Sequence, residues 1–246
     1  MKINKIELKH FIITIFFVTF ALAFDDKNPS FVLTSWLSNF IKIGVFVTIT
    51  VFVHYLGHKL AARRYQTEIE HRIMTMSTFY LSNFFSIKTK PKPIGIILSL
   101  FISFVSLGKL FYIAVESFVV KPSKNKRVGF RYTNLTNYET AVIAASGPLA
   151  NLIFALIIKL FGVSSLDNLV FINLVYGLYH LIPFSTLDGC KLFFSSFILY
   201  IFTLFLLLGT TLLISFFSVT ATIILVLFIA SVFTIIFFFA MFGHHL

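Results

Sequence analysis

One cysteine, Cys190, stands in 246 residues, which excludes an internal disulfide framework and any metal site built on several thiolates. Charge is nearly as scarce: charged side chains make up 12% of the chain, against 58% hydrophobic. That balance leaves no polar surface for a soluble domain, and the sequence reads as an all-α polytopic membrane protein. Acidic residues are the rarer sign, 9 against 20 basic, for a formal net charge of +11. Nearly all of the charges fall between apolar runs. With no polar domain to present them to nucleic acid, the basic residues report loop orientation, and no nucleic-acid partner is expected. Any metal held here needs His, Asp or Glu.

Lys2, Lys5 and Lys9 precede an apolar run, Phe11 to Phe24, that ends in Ala21-Leu22-Ala23. The pattern suits a secretory signal peptide or a first crossing that stays in the membrane, and the apolar character of everything downstream favours the crossing. Asp25 to Trp36, slightly acidic and holding Pro29, reads as an external loop. A second crossing, about Phe40 to Ala62, finishes against Lys59, Arg63 and Arg64. Arg72, Lys88, Lys90 and Lys92 follow, which marks that end as cytoplasmic. The run Ile94 to Val120 is broken at Gly108-Lys109 into halves of 14 and 11 residues, each too short to span as a helix. A second basic loop, with Lys121, Lys124, Lys126, Arg127 and Arg131, comes next. The piece between is therefore expected to return to the cytoplasmic side as a re-entrant, interfacial or paired segment, with Glu116 at the interface.

Thr136 and Glu139 make a helix-start signature ahead of a crossing at about Thr140 to Phe161. Another, about Leu169 to Pro183, leads to Asp188, and Leu192 to Phe242 is long enough for two more. The expected organisation is about six transmembrane helices, with the re-entrant or interfacial segment after the second. Residues 1–37 form the first segment and loop, 38–191 a metal-site core, and 192–246 two C-terminal helices. Glu68, Glu70, His71 and Arg72 read as a solvated charged patch, His244 and His245 as an exposed tail, and Cys190 as an inert thiol.

His54 and His58, four residues apart in the second crossing, share a helical face and can share a metal ion. Asp188 is an ionisable residue bounded by apolar sequence, which makes it a functional candidate in need of a partner. If Ile94 to Val120 makes no net crossing, Asp188 emerges at the cytoplasmic end, at the depth of the histidines. Two His and one Asp then form a three-ligand set with the fourth tetrahedral position open, as in catalytic zinc sites. Gly147-Pro148-Leu149-Ala150-Asn151 puts a proline and an amide in mid-span. It is a kinked helix with a packing Asn on one reading, and a polar group aimed at a site on the other.

Taken together, His54 to His58, Gly147 to Asn151 and His180 to Gly189 resemble, in order, three motifs of the site-2 protease family of intramembrane zinc metalloproteases. Those motifs are His-Glu-x-x-His, Gly-Pro-x-x-Asn and Asn-x-x-Pro-x-x-x-Leu-Asp-Gly. The resemblance covers about Phe40 to Lys191. It implies zinc held by His54, His58 and Asp188, Asn151 bearing on substrate or oxyanion, and transmembrane segments of other proteins as partners within the lipid bilayer. Two positions depart from the pattern. Tyr55 stands where the family has its general-base glutamate, and a phenol with a pKa near ~10 is a poor base at neutral pH. His180 replaces the motif's Asn and could serve as a relocated base, a fourth ligand, an oxyanion donor or a packed polar residue. Three functions stay open: a zinc-binding member impaired in proteolysis that binds transmembrane-helix clients, an active protease with a relocated base, and a non-metal transporter or scaffold with a structural His pair.

Overall fold

A computed structural model of the chain describes residues 4–25, 31–82, 85–121 and 135–242. Pro29, the basic residues Lys124, Lys126, Arg127 and Arg131, and the tail residues His244 and His245 lie outside them. The helices are α1 (Lys5–Ala23), α2 (Leu33–Arg64), α3 (Ile94–Val105), α4 (Asn137–Leu160), α5 (Asp167–His180), α6 (Asp188–Ser195), α7 (Phe197–Leu213) and α8 (Val219–Phe242). The strands are β1 (Glu68–Ile73), β2 (Met76–Ser82), β3 (Phe85–Lys92) and β4 (Glu116–Lys121). α1, α2, α4 and α8 are each long and apolar enough to cross a bilayer. Their outward faces carry large apolar side chains such as Phe16, Ile41, Ile153 and Phe228, where a water-soluble protein would be polar. The chain is a polytopic membrane protein. α3 and α7, at 12 and 17 residues, are apolar but shorter than the roughly 20 residues of a full perpendicular span, and α5, at 14 residues, is short and carries Asp167, Asn168, Asn173 and His180.

α4 begins where the sequence signs it. Glu139 N–H donates to the Thr136 hydroxyl at 3.2 Å, and the Glu139 carboxylate accepts from Thr136 N–H at 2.8 Å, which satisfies two of the helix's free amides. Pro148 lies inside the helix and frees one backbone carbonyl of the preceding turn. α2 and α4 pack backbone to backbone. A Cβ on Gly57 would overlap the Ser146 carbonyl oxygen and come within 2.7 Å of Ala150 Cβ, the close approach that small residues permit between membrane helices.

Among the described residues, the chain that leaves α2 comes back beside its own start by the end of β4, with more strand than its apolar composition suggests. β1 and β4 pair antiparallel from Glu68↔Lys121 to Ile73↔Glu116, and β2 pairs with β3. α3 runs outward until a Cβ on Gly108 would meet Phe24 and Asp25 at the end of α1. The chain then returns extended to β4 and ends beside the start of β1, just past the α2 C-terminus. Two expectations change with this sheet. Glu116 is buried rather than interfacial, because β4 carries it inward to the last rung of the ladder. Glu70 and His71 are buried as well, rather than part of a solvated patch. Glu70 accepts hydrogen bonds from Arg72 Nη2 at 2.9 Å and pairs with Lys121 Nζ at 3.0 Å.

Candidate metal centre

One turn of α2 brings His54 and His58 to the same face, and the first residue of α6 brings Asp188 to meet them. His54 Nε2 lies 2.9 Å and His58 Nε2 3.0 Å from Asp188 Oδ2, and the two ring nitrogens are 3.1 Å apart. All three side chains are buried. α4 passes directly over the pair. A Cβ on Gly147 would overlap His58 Nε2 and sit 2.8 Å from His54 Cε1, so this glycine is the gap in which the imidazoles stand.

The partners of the outer ring nitrogens fix the tautomers. His58 Nδ1 lies 2.6 Å from the Ile143 carbonyl oxygen. A carbonyl can only accept, so Nδ1 carries the proton and Nε2 turns its lone pair to the centre. His180 is arranged the same way, with Nδ1 donating to the Tyr176 carbonyl at 2.9 Å and Nε2 buried without a partner. Asn151 Nδ2 stands 3.5 Å from His54 Nδ1, long for a hydrogen bond, while Asn151 Oδ1 has no partner. Turning the amide over lets Oδ1 accept the His54 Nδ1 proton, which frees His54 Nε2 to coordinate. Asn151 thus lies against one of the two candidate histidine ligands.

The donor set fits a zinc ion. Ligands about 2.0–2.1 Å from a tetrahedral centre stand about 3.3 Å from one another, close to the observed triangle of 2.9 to 3.1 Å. Convergent lone pairs at that spacing repel unless a cation or a proton lies among them. On the far side, Lys191 Nζ is 3.9 Å from Asp188 Oδ1 and 3.7 Å from the centre of the Phe118 ring.

This arrangement belongs to a recognised sequence family. The model of peptidase family M50, the site-2 protease family, matches residues 43–167. The chain belongs to peptidase family M50. The match takes in His54, His58 and Asn151 but stops short of Asp188, so the third donor of this M50 site is placed by the fold. No curated protein and no solved structure matches the chain.

Tyr55, the residue after His54 on α2, lines the same cavity as the histidines, with its hydroxyl turned to α1. Its hydroxyl donates to Glu7 Oε1 of α1 at 2.7 Å. The same carboxylate oxygen accepts from His71 N–H at 3.2 Å and faces Lys59 Nζ at 3.5 Å. A carboxylate that sequence reasoning missed comes closer. Donor atoms of His54, Glu116 and His180 all lie within 4.8 Å of one another. Glu116 Oε2 is 2.8 Å from His71 Nε2, though neither carboxylate oxygen has a well-aligned hydrogen bond. Burial lifts the Glu116 carboxyl well above the ordinary carboxylate range, and a dication at the centre acts in the opposite direction. His54, His58, Glu116, His180 and Asp188 line one cavity of about 10 Å³ together with Tyr55, His71, Ser117, Ile69 and Phe118, roughly the space of a single water.

Proposed function

We propose that this M50 member is a zinc-dependent intramembrane endopeptidase that acts on transmembrane segments of other membrane proteins, with its metal site near the cytoplasmic face. The observation that carries the reading is the convergence of His54, His58 and Asp188 on one buried, water-sized cavity. Zinc held by three protein side chains acidifies a water and polarises a peptide carbonyl. The chain's own groups do the rest. His54, His58 and Asp188 would hold the ion, while the Ile143 carbonyl and Asn151 orient the two imidazoles. His180 presents a lone pair rather than a proton, which suits a further ligand or an acceptor better than an oxyanion donor. The cavity is water-sized and its ionisable lining is buried, which strengthens electrostatic interactions inside it. Lys59, Arg63 and Arg64 lie within about two turns of His58, and this supports the cytoplasmic placement.

A second reading, a zinc-binding member that holds transmembrane clients without cutting them, is favoured by Tyr55, whose hydroxyl is committed to Glu7. The experiment that separates the two uses the purified full chain in proteoliposomes, with bound zinc quantified beside cleavage of transmembrane-helix reporter peptides. One zinc per chain, with cleavage abolished in His54→Ala, is the expected result. Stoichiometric zinc without cleavage of any reporter selects the client-binding reading. Absence of stoichiometric zinc rejects both and returns the protein to the transporter or scaffold class.

A further inference from the structure

We infer that Glu116 is the general base of this site, a carboxylate delivered by the sheet in place of the one that the metal helix lacks at position 55. The inference rests on the endopeptidase reading above.

Three observations carry it. The first is position: a Glu116 carboxylate oxygen lies within 4.8 Å of ring nitrogens of both His54 and His180, and Glu116 lines the same water-sized cavity as the ligand triad. A base needs hydrogen-bond reach of the proton it takes, and a site close to the metal but outside its three-donor triangle provides that. The second is availability. The acidic residues that line the cavity are Asp188 and Glu116, and Asp188 is spent on the histidines. Glu7, the carboxylate nearest Tyr55, is held by the Tyr55 hydroxyl, the His71 amide and Lys59. Glu116 is buried with its Oε2 2.8 Å from His71 Nε2, and it interacts with the Tyr176 hydroxyl, two groups that can hold the side chain while the carboxylate's remaining lone pairs stay open as acceptors. The third is support. The β1–β4 ladder ends at Ile73↔Glu116 and sets the depth of the residue, and His71 Nε2 at 2.8 Å holds the side chain as a positioning residue.

In the step assigned to it, Glu116 takes one proton from the attacking water while the water oxygen bonds to the scissile carbonyl carbon. It then gives that proton to the amide nitrogen as the C–N bond breaks. The water oxygen ends in the new carboxyl group, the amine leaves, Glu116 returns as a carboxylate, and no electron is exchanged with any other partner.

The test uses full-length protein in proteoliposomes, wild type beside Glu116→Gln, Glu116→Asp and His54→Ala. The measurements are zinc content, cleavage of a transmembrane reporter, and equilibrium binding of a short apolar peptide hydroxamate. A hydroxamic acid gives up a proton when it chelates a metal, so its affinity reads a nearby base without turnover. Glu116→Gln is expected to keep one zinc per chain, to lose cleavage by about a hundred- to ten-thousandfold, and to bind the hydroxamate about ten- to a hundredfold more weakly. Glu116→Asp, which keeps a carboxylate, should lie between the two in both readouts. Cleavage by Glu116→Gln within a few-fold of wild type overturns the assignment. So does loss of zinc from Glu116→Gln with zinc retained in Glu116→Asp, since Glu116 would then be a ligand. Equal behaviour of the Gln and Asp variants overturns it as well. A wild type that cleaves no reporter but binds the hydroxamate in a Glu116-dependent way sinks the endopeptidase reading and leaves Glu116 as the acid–base group of the centre.

Discussion

The cavity has two walls built on different plans. On one side, α2, α4 and α6 supply His54, His58, Asn151 and Asp188, with the α2 and α4 backbones brought together at Gly57 and the imidazoles seated against Gly147. On the other, β1 and β4 supply His71 and Glu116 from a two-stranded sheet between α2 and α4. The helical wall holds donors at fixed spacing, as a metal ion requires. The sheet wall presents a buried carboxylate held at its edge by His71. The contrast teaches that metal retention and proton transfer reside on separable elements here, whereas a His-Glu-x-x-His helix carries both.

The comparison breaks most completely if the helical wall is not a metal site. His54→Ala and Asp188→Asn each remove one of three donors and should lower zinc affinity by more than about a hundredfold, with cleavage falling to background. Zinc content after dialysis checks this, and full retention of zinc in either variant would refute the ligand assignment. Gly147→Ala tests the same wall without touching a ligand. Its Cβ needs the space of His58 Nε2, so α4 or the imidazole must move. The expected cost is about 1–3 kcal/mol of stability from overpacking and a tenfold or greater loss of zinc affinity, read by thermal unfolding and competition with a chelator. Unchanged zinc affinity would show that α4 yields without disturbing the histidines.

Tyr55 sits at the seam between the walls and sharpens the comparison. Tyr55→Phe removes the bond to Glu7 and should cost about 1–3 kcal/mol, because a buried acceptor loses a partner, while zinc content and cleavage per folded molecule stay within a few-fold of wild type. A rate loss of a hundredfold with zinc intact would make the phenol catalytic after all. Tyr55→Glu, which would write His-Glu-x-x-His into α2, brings a second carboxylate up to Glu7 in a buried setting and should destabilise the protein rather than accelerate it. Pairing it with Glu7→Gln relieves that repulsion.

The helical wall was legible because its chemistry is local or patterned. The i, i+4 spacing of His54 and His58 sets a shared face, Thr136 and Glu139 announce the start of α4, and Asp188 stands out as a charge in apolar sequence. The sheet wall was not. Glu116 carries the same signal as Asp188, but the basic loops on either side point it to the interface, and only the pairing of β4 with β1 takes it inward. Ile94 to Val120 has no clear two-residue alternation, so apolar composition cannot separate the strand from a helix. The partner of the Tyr55 hydroxyl lies 48 residues away on α1, and no spacing rule reaches it. Gly147 reads as half of a Gly-Pro motif, yet its reason, the volume of two imidazoles, exists only once α4 crosses α2.

The smallest expected effect concerns the outer end of the sheet and asks whether that wall titrates on its own. Burial of Glu70 by itself would raise its carboxyl, but hydrogen bonds from Lys121 and Arg72 outweigh that and hold it below the ordinary range. A depressed folded value contributes stability that is present above the unfolded value of about 4.3. It is lost as pH falls through the folded value, because in that window the unfolded strand takes up a proton that the sheet still refuses. Arg72 and Lys121 are about half exposed, so solvent and salt screen the pair, and the contribution should stay under about 1 kcal/mol. Amide exchange of β1 and β4 compared at pH 7 and pH 4 should show earlier opening in acid, with the difference shrinking in Glu70→Gln and at high salt. If the acid sensitivity of these amides is the same in Glu70→Gln, the sheet draws its pH response from the inner His71–Glu116 end, and the two walls are coupled through the cavity rather than separable.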